Sequence, residues 1–338
     1  VTREMKGRIY AAFEGDRGAS TLEGLCKGLI SEQRSAWPAL GQAYDSLRGT
    51  RYRDITCKGF SVRLLFNPGR IVNTTAVVNP GEIRERSCFL CVDNLPVEQK
   101  CILYRQEFLI LGNPRPVVPF HLTIAHLDHH PQAIIDHMEI FLRIAADLGP
   151  GFTTLYNGPR CGASAPDHLH FQAVPSGQMP IEKEIDGRSD LEPALPRTRA
   201  ADAPVKRAAG LGREVILVEA NDPFSLAAAF RGYARGLADM PGPPGGEAGE
   251  EPMLNAAASF DGKTWRLLVF PRRAHRPAAF YRKDDGKILV SPAVMEMAGI
   301  IVTPAESDFD RLDAAAIESL YREVSFIHAR MPSKPLTP

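Results

Sequence analysis

The sequence predicts an α+β protein, an antiparallel sheet with flanking helices, with the unit duplicated within the chain. From residue 51 onward, short apolar strands alternate with turns, and a one-sided helix at 132–148 sits among them. The second half repeats that texture: a strand at 215–218, a helix at 223–237, and strands around 265–270, 280–281 and 300–302. A weaker sign is a short repeat. Residues 124–131 and 270–277 each follow an apolar strand and carry His and Pro at matching offsets.

In chain order, residues 1–50 form a helical segment, with Leu22, Leu25, Leu29 and Ile30 at helical spacings and an interruption at Trp37-Pro38. Residues 51–190 form the first unit. Residues 60–66, the turn Asn67-Pro-Gly-Arg70 and residues 71–76 read as strand, turn, strand. Further strands fall at 108–111, 121–124, 153–156 and 169–174. The helix at 132–148 carries Ile134, Ile135, Met138, Phe141, Leu142 and Ala145 on one face. Residues 191–212, rich in Pro, Ala, Arg and Asp without periodicity, read as a linker to a second unit at 213–338, in which 240–250 is a flexible loop.

Composition narrows the function. The chain has 338 residues, enough for two cores, with 44% hydrophobic and 24% charged residues. Lys+Arg and Asp+Glu are both 40, so no bulk basic field exists to hold nucleic acid. No stretch approaches the roughly 20 apolar residues of a membrane helix. The first residues carry no apolar run of the signal-peptide kind. Six cysteines over this length are not a disulfide scaffold, and a reducing cytoplasm is expected.

The chemistry concentrates in Asn157-Gly-Pro-Arg-Cys-Gly162-Ala-Ser164-Ala-Pro-Asp-His168-Leu-His170-Phe-Gln172. On a strand, His168, His170 and Gln172 share one face and Leu169 and Phe171 the other. The Gly- and Ser-bearing loop upstream offers backbone N–H groups to a phosphate. Asn157 and Ser164 are candidate phosphate contacts, against turn and capping roles. The second constellation is Cys88-Phe-Leu-Cys91, running into a turn-like Val-Asp-Asn-Leu-Pro96. That context favours a zinc knuckle over a redox dithiol, with His126, His129, His130 and His168 available downstream. Arg272, Arg273 and Arg276 form a basic cluster suited to a second phosphate or to a solvated loop.

These motifs resemble the transferase branch of the histidine-triad superfamily, which includes galactose-1-phosphate uridylyltransferase, diadenosine-tetraphosphate phosphorylase and GDP-galactose phosphorylase. His168-Leu-His170-Phe-Gln172 is similar to that branch's H-x-H-x-Q, and Gly162-Ala-Ser164 to the phosphorylases' phosphate loop. Pro180-Ile-Glu-Lys183 and Ser291-Pro-Ala-Val-Met-Glu296 look most like the GDP-galactose phosphorylase group. The resemblance implies a histidine-triad-like fold, His170 as nucleophile, and Asn157, Gly162, Ser164, Lys183, Arg272 and Arg273 as substrate contacts. It implies a structural zinc on Cys88, Cys91, His129 and His168, with His126 and His130 as rivals to His129. The implied partners are a nucleotide sugar or dinucleoside polyphosphate and inorganic phosphate or a sugar phosphate; a homodimer is also compatible. Since Gln172 can donate hydrogen bonds but not deliver a proton, the motif favours transfer between phosphates, whose leaving groups need no general acid. Three rivals stand beside this: a histidine-triad hydrolase, a metal-dependent hydrolase built on His121, His126, His129 and His130, and an inactive zinc-stabilised nucleotide-binding module.

Overall fold

The computed structural model describes residues 3–15, 20–75, 80–194, 203–238 and 250–326. Fourteen strands appear among them: β1 (Ile9–Phe13), β2 (Arg51–Thr56), β3 (Ser61–Phe66), β4 (Cys101–Tyr104), β5 (Phe108–Gly112), β6 (Leu122–His126), β7 (Phe152–Asn157), β8 (His170–Pro175), β9 (Leu191–Pro193), β10 (Val205–Ala208), β11 (Val215–Ala220), β12 (Leu254–Phe260), β13 (Trp265–Pro271) and β14 (Ile300–Thr303). Eleven form one sheet in the order β1-β4-β5-β6-β8-β7-β12-β13-β11-β10-β9, and β14-β3-β2 form a small second sheet. The large sheet is antiparallel except where β1 joins β4.

The duplication is written in the topology. In the first half, three strands, the helix Met138–Leu148 and two more strands give the spatial order β4-β5-β6-β8-β7. In the second half, three strands, the helix Pro223–Ala238 and two more give β9-β10-β11-β13-β12. The halves meet where β7 pairs antiparallel with β12, from Asn157 against Asn255 to Thr154 against Ala258. The short repeat at 124–131 and 270–277 does not mark this duplication. Its members follow β6 and β13, the third strand of one unit and the fifth of the other.

Pleating sorts the side chains. Phe108, Ile110, Leu122, Ile124, Phe171, Ala173 and Tyr156 enter one core beneath the helices Leu22–Ala36, Met138–Leu148 and Pro223–Ala238. Each fully buried side chain of this kind contributes about 1.5–3 kcal/mol. Leu155, Val174, Ala257 and Leu268 enter a second core on the opposite face, against the small sheet. Among the described residues no helix is long and apolar enough to cross a membrane.

Several expectations need correcting. The N-terminal segment is not wholly helical: residues 9–13 are β1, which extends the large sheet. Trp37-Pro38 does divide two helices, since Trp37 is extended and Pro38 opens the helix Pro38–Arg48. Residues 71–74 are helical, because the Pro68 turn continues into a helix and β3 takes β2 and β14 as neighbours instead. Residues 191–212 contribute β9 and β10 to the large sheet, so the stretch is not simply a linker. Ala278–Tyr281 is a helical turn capped by Pro277, and β14 leaves the second unit to pair with β3 of the first. Of the expected loop at 240–250, residues 240–249 lie outside the described residues.

Candidate active site and metal centre

Leu169 and Phe171 point into the helix-covered core, which places His170 and Gln172 on the opposite face of β8. His168 lies just ahead of the strand. His170 is only 5% exposed and lines a cavity of about 610 Å³. Burial pushes its imidazole down to about 4, so the ring is neutral at pH 7. Its Nδ1–H donates to the His168 carbonyl at 2.8 Å, which leaves the lone pair on Nε2. The backbone is held as firmly. The buried Gln132 carboxamide accepts from His170 N–H at 2.8 Å and donates to the carbonyls of His170 (3.0 Å) and Asn157 (2.9 Å). No sequence motif pointed to Gln132.

Gln172 has an orienting partner, His121. Val117 N–H donates to His121 Nδ1 at 3.2 Å, so the ring's proton sits on Nε2. That proton meets Gln172 Oε1 at 2.6 Å. The Gln172 NH₂ is therefore left to face the cavity as a donor. Burial and the nearby Arg70 charge push His121 down to about 4, which keeps it in this neutral tautomer. The metal-hydrolase reading makes His121 a ligand; it instead fixes which end of an amide faces the cavity.

Asn157, Gly162 and Ser164 also line this cavity. Asn157 Oδ1 accepts from Asn255 Nδ2 and Val294 N–H, at 3.0 and 2.7 Å, so its NH₂ is the end without a partner among the described residues. Gly162 has φ +119°, and a Cβ there would stand 2.6 Å from the Ala293 Cβ. Glycine is required at this crossing of the two halves. Arg70, Arg86 and Arg115 line the same space beside a single carboxylate, Glu296, whose pKa burial raises. This excess of guanidinium suits a polyphosphate. A smaller cavity of about 60 Å³ shares Arg70, Gly162, Ser164 and Glu296 and adds Arg276.

The remaining basic candidates stand elsewhere. Lys183 and Arg273 are exposed and line neither cavity. Arg272 is 1% exposed, and its guanidinium donates to Asn255 Oδ1 and to the carbonyls of Val324, Pro292, Ala274 and His275. It braces the second half instead of reaching for substrate. Arg272→Met leaves those acceptors buried without donors and is expected to cost roughly 3–5 kcal/mol. Urea unfolding measures this, and a loss below 1 kcal/mol would refute the bracing role.

Cys88, Cys91, His129 and His168 converge as expected, with their ligand atoms all within 4.8 Å of one another. Cys88 Sγ lies 3.4 Å from His168 Nδ1, and Cys91 Sγ lies 3.2 Å from His129 Nδ1 and 3.6 Å from His168 Nδ1. Tetrahedral bonds of about 2.3 Å to sulfur and 2.0–2.1 Å to nitrogen require S···N edges of roughly 3.6 Å, so the set fits such an ion. His168 Nε2–H donates to the His126 carbonyl at 2.8 Å, which turns the Nδ1 lone pair toward the thiols. Asp167 lies 3.6 Å from His129 Nε2 and 2.9 Å from Arg86, linking the cluster to the cavity wall. His126 and His130 fall with Asp128 in a separate group.

No curated protein sequence matches the chain. A family described as a domain of unknown function, DUF4922, matches residues 29–175. In fold, the chain is similar to the crystal structure of yeast Ap4A phosphorylase Apa2, with TM-score 0.59 and 14% identity over 89% of this chain and 97% of that one. The structure of that yeast enzyme in complex with AMP gives 0.58 and 15% over 88% and 97%. Its complex with Ap4A gives 0.55 and 15% over 89% and 97%. The architecture expected from the H-x-H-x-Q resemblance is the one found: this chain has the fold of that phosphorylase.

Proposed function

We propose that the protein is a nucleotidyltransferase of the phosphorylase type. It would take a nucleoside monophosphate from a nucleotide sugar or dinucleoside polyphosphate and pass it to inorganic phosphate or a sugar phosphate. The observation that carries this reading is the fixed tautomer of His170, which presents a neutral Nε2 lone pair to an arginine-lined cavity beside a donor amide. In the first half-reaction Nε2 attacks the α-phosphorus, a P–N bond forms, and the P–O bond to the leaving phosphate group breaks. In the second, an oxygen of the acceptor phosphate attacks that phosphorus and the P–N bond breaks, returning neutral His170. Gln172 NH₂ and the Ser164 loop stabilise the charge that gathers on the phosphoryl oxygens. The absence of an acid at Gln172 suits leaving groups that depart as phosphates.

Zinc is the ion proposed for the Cys88, Cys91, His129 and His168 cluster, where four protein ligands close the site and make its part structural. These residues join the loop ahead of the nucleophile to the cavity wall that carries Phe89 and Leu90. The test of the transfer reading is the intact mass of the protein after brief exposure to nucleotide sugars and dinucleoside polyphosphates without phosphate. One added nucleoside monophosphate, released by phosphate, is expected; no adduct from any donor that binds would sink the reading.

The His121 contact gives a second test. His121→Ala lets the Gln172 amide turn and is expected to lower kcat about 10–100-fold while KM changes little. A matching rise in KM at constant kcat would instead assign His121 to substrate binding.

A further inference from the structure

The large cavity also holds unsatisfied hydrogen-bonding groups that bear on the base, given the reading that His170 and Gln172 mark the α-phosphoryl end. The sheet measures the distance from there. Gln172 pairs with Thr123 on β6, and Thr123 with Leu111 on β5, so Leu111 stands two strand spacings, about 10 Å, from Gln172. That is about the reach of a nucleoside from its 5′ phosphorus to its base. The wall there is apolar, with Leu90, Leu95, Leu111 and Val117, and Phe89 is an exposed aromatic ring.

Three amides line this region, and the Thr123 hydroxyl stands one strand spacing nearer Gln172. Asn113 is engaged at both ends, donating to Thr123 Oγ1 and accepting from Arg115 N–H. Gln99 is 4% exposed, and its Nε2 donates to the Gly112 carbonyl at 3.1 Å. Asn94 Nδ2 donates to the Cys88 carbonyl at 2.8 Å. Because a carbonyl can only accept, these two contacts fix the nitrogen end of each amide and leave Gln99 Oε1 and Asn94 Oδ1 as acceptors. Neither oxygen receives a hydrogen bond among the described residues.

Two acceptors complement the edge of guanine, which offers N1–H and N2–H₂ as neighbouring donors. Adenine offers one amine beside a bare ring nitrogen, and uracil one N–H between two carbonyls. We propose that Gln99, assisted by Asn94, reads the base, and that the cavity takes guanine nucleotides in preference to adenine and uracil nucleotides.

Equilibrium binding of GMP, IMP, AMP and UMP to the full chain tests this. GMP is expected to bind at least about tenfold more tightly than AMP or UMP, with IMP, which lacks the N2 amine, in between. Gln99→Met keeps the side chain's length without its acceptor and should bring the GMP-to-AMP ratio close to one. A melting curve of the variant and the wild-type ratio itself keep the result readable if the variant folds poorly. AMP or UMP binding as tightly as GMP would overturn the proposal, as would a wild-type ratio that survives in a folded Gln99→Met. The adduct measurement separates the two levels: a mass added from an adenine donor as readily as from a guanine one keeps the transfer reading and removes this one. No adduct from any donor removes the transfer reading, and with it the ground for placing a base here.

Discussion

His170→Ala is expected to form no nucleotidyl adduct and to lower turnover about 10⁴-fold or more, because a nucleophile removed from its site is not replaced by its surroundings. The structure supports so large an effect. His121, the other histidine lining the cavity, gives its Nε2–H to Gln172 and takes Val117 N–H on Nδ1, so neither nitrogen is free to attack. Ser164 also lines the cavity, but among the described residues no hydrogen bond joins its hydroxyl to a base, and an unactivated hydroxyl is a weak nucleophile at neutral pH. Nucleotide affinity should change only a few-fold, since the arginines and the apolar wall remain. Intact mass with and without phosphate reads the adduct, and equilibrium dialysis reads the affinity. A full-size adduct on the alanine variant would assign the chemistry to another residue, and lost affinity would mean that the substitution had disturbed the cavity itself.

Much of this site was legible because its logic is local. A two-residue period is enough to put His170 and Gln172 on one face and Leu169 and Phe171 on the other, and the structure keeps that division. The cysteine pair was legible for a similar reason, since two thiols three apart followed by a turn can close on one ion. What stayed hidden depends on contacts between distant segments. Gln132 reaches His170 across 38 residues, and His121 reaches Gln172 across 51. Neither has a spacing that announces it. The basic cluster misled for the opposite reason: neighbours in sequence part company in space. Arg272 turns inward to brace backbone carbonyls, Arg273 faces out, and Arg276 lines the smaller cavity. The texture of the second half is enough to expect a duplication, but the short repeat joins two non-equivalent strands. A shared topology needs only matching apolar periods, not matching residues.

Stripping the proposed zinc, or replacing Cys88 with Ser, is expected to open the wall of the cavity while leaving the large sheet folded. Two magnitudes compete here. A structural zinc can supply roughly 10–16 kcal/mol of apparent binding energy, comparable to the 5–15 kcal/mol that holds a whole domain. That figure belongs to small folds with little else to support them. Here the two main cores lie under the helices and beneath the small sheet, whereas residues 88–99 bury only Cys88, Leu90, Leu95 and Gln99, the first two packed with Ala125 and Ala165 and Leu95 in a small cluster with Leu109 and Leu111. Its regular structure is one short turn, Val92–Asn94. Without the ion, burial and the neighbouring Cys88 hold the Cys91 thiol up at about 11, so at neutral pH Cys91 carries no charge with which to tether the segment. The loss should therefore fall on residues 88–99, which carry Phe89, Leu90, Asn94 and Gln99, and on His168 just ahead of the nucleophile. Circular dichroism should change little, hydrogen exchange should rise in 88–99, and nucleotide binding should fall by at least tenfold. His129→Ala should act in the same direction but less strongly, because His129 is the exposed member of the four. Protein shown to be metal-free that binds nucleotide as tightly as before would separate the cluster from the cavity; global unfolding on chelation would show that the ion supports far more of the fold than its immediate packing suggests.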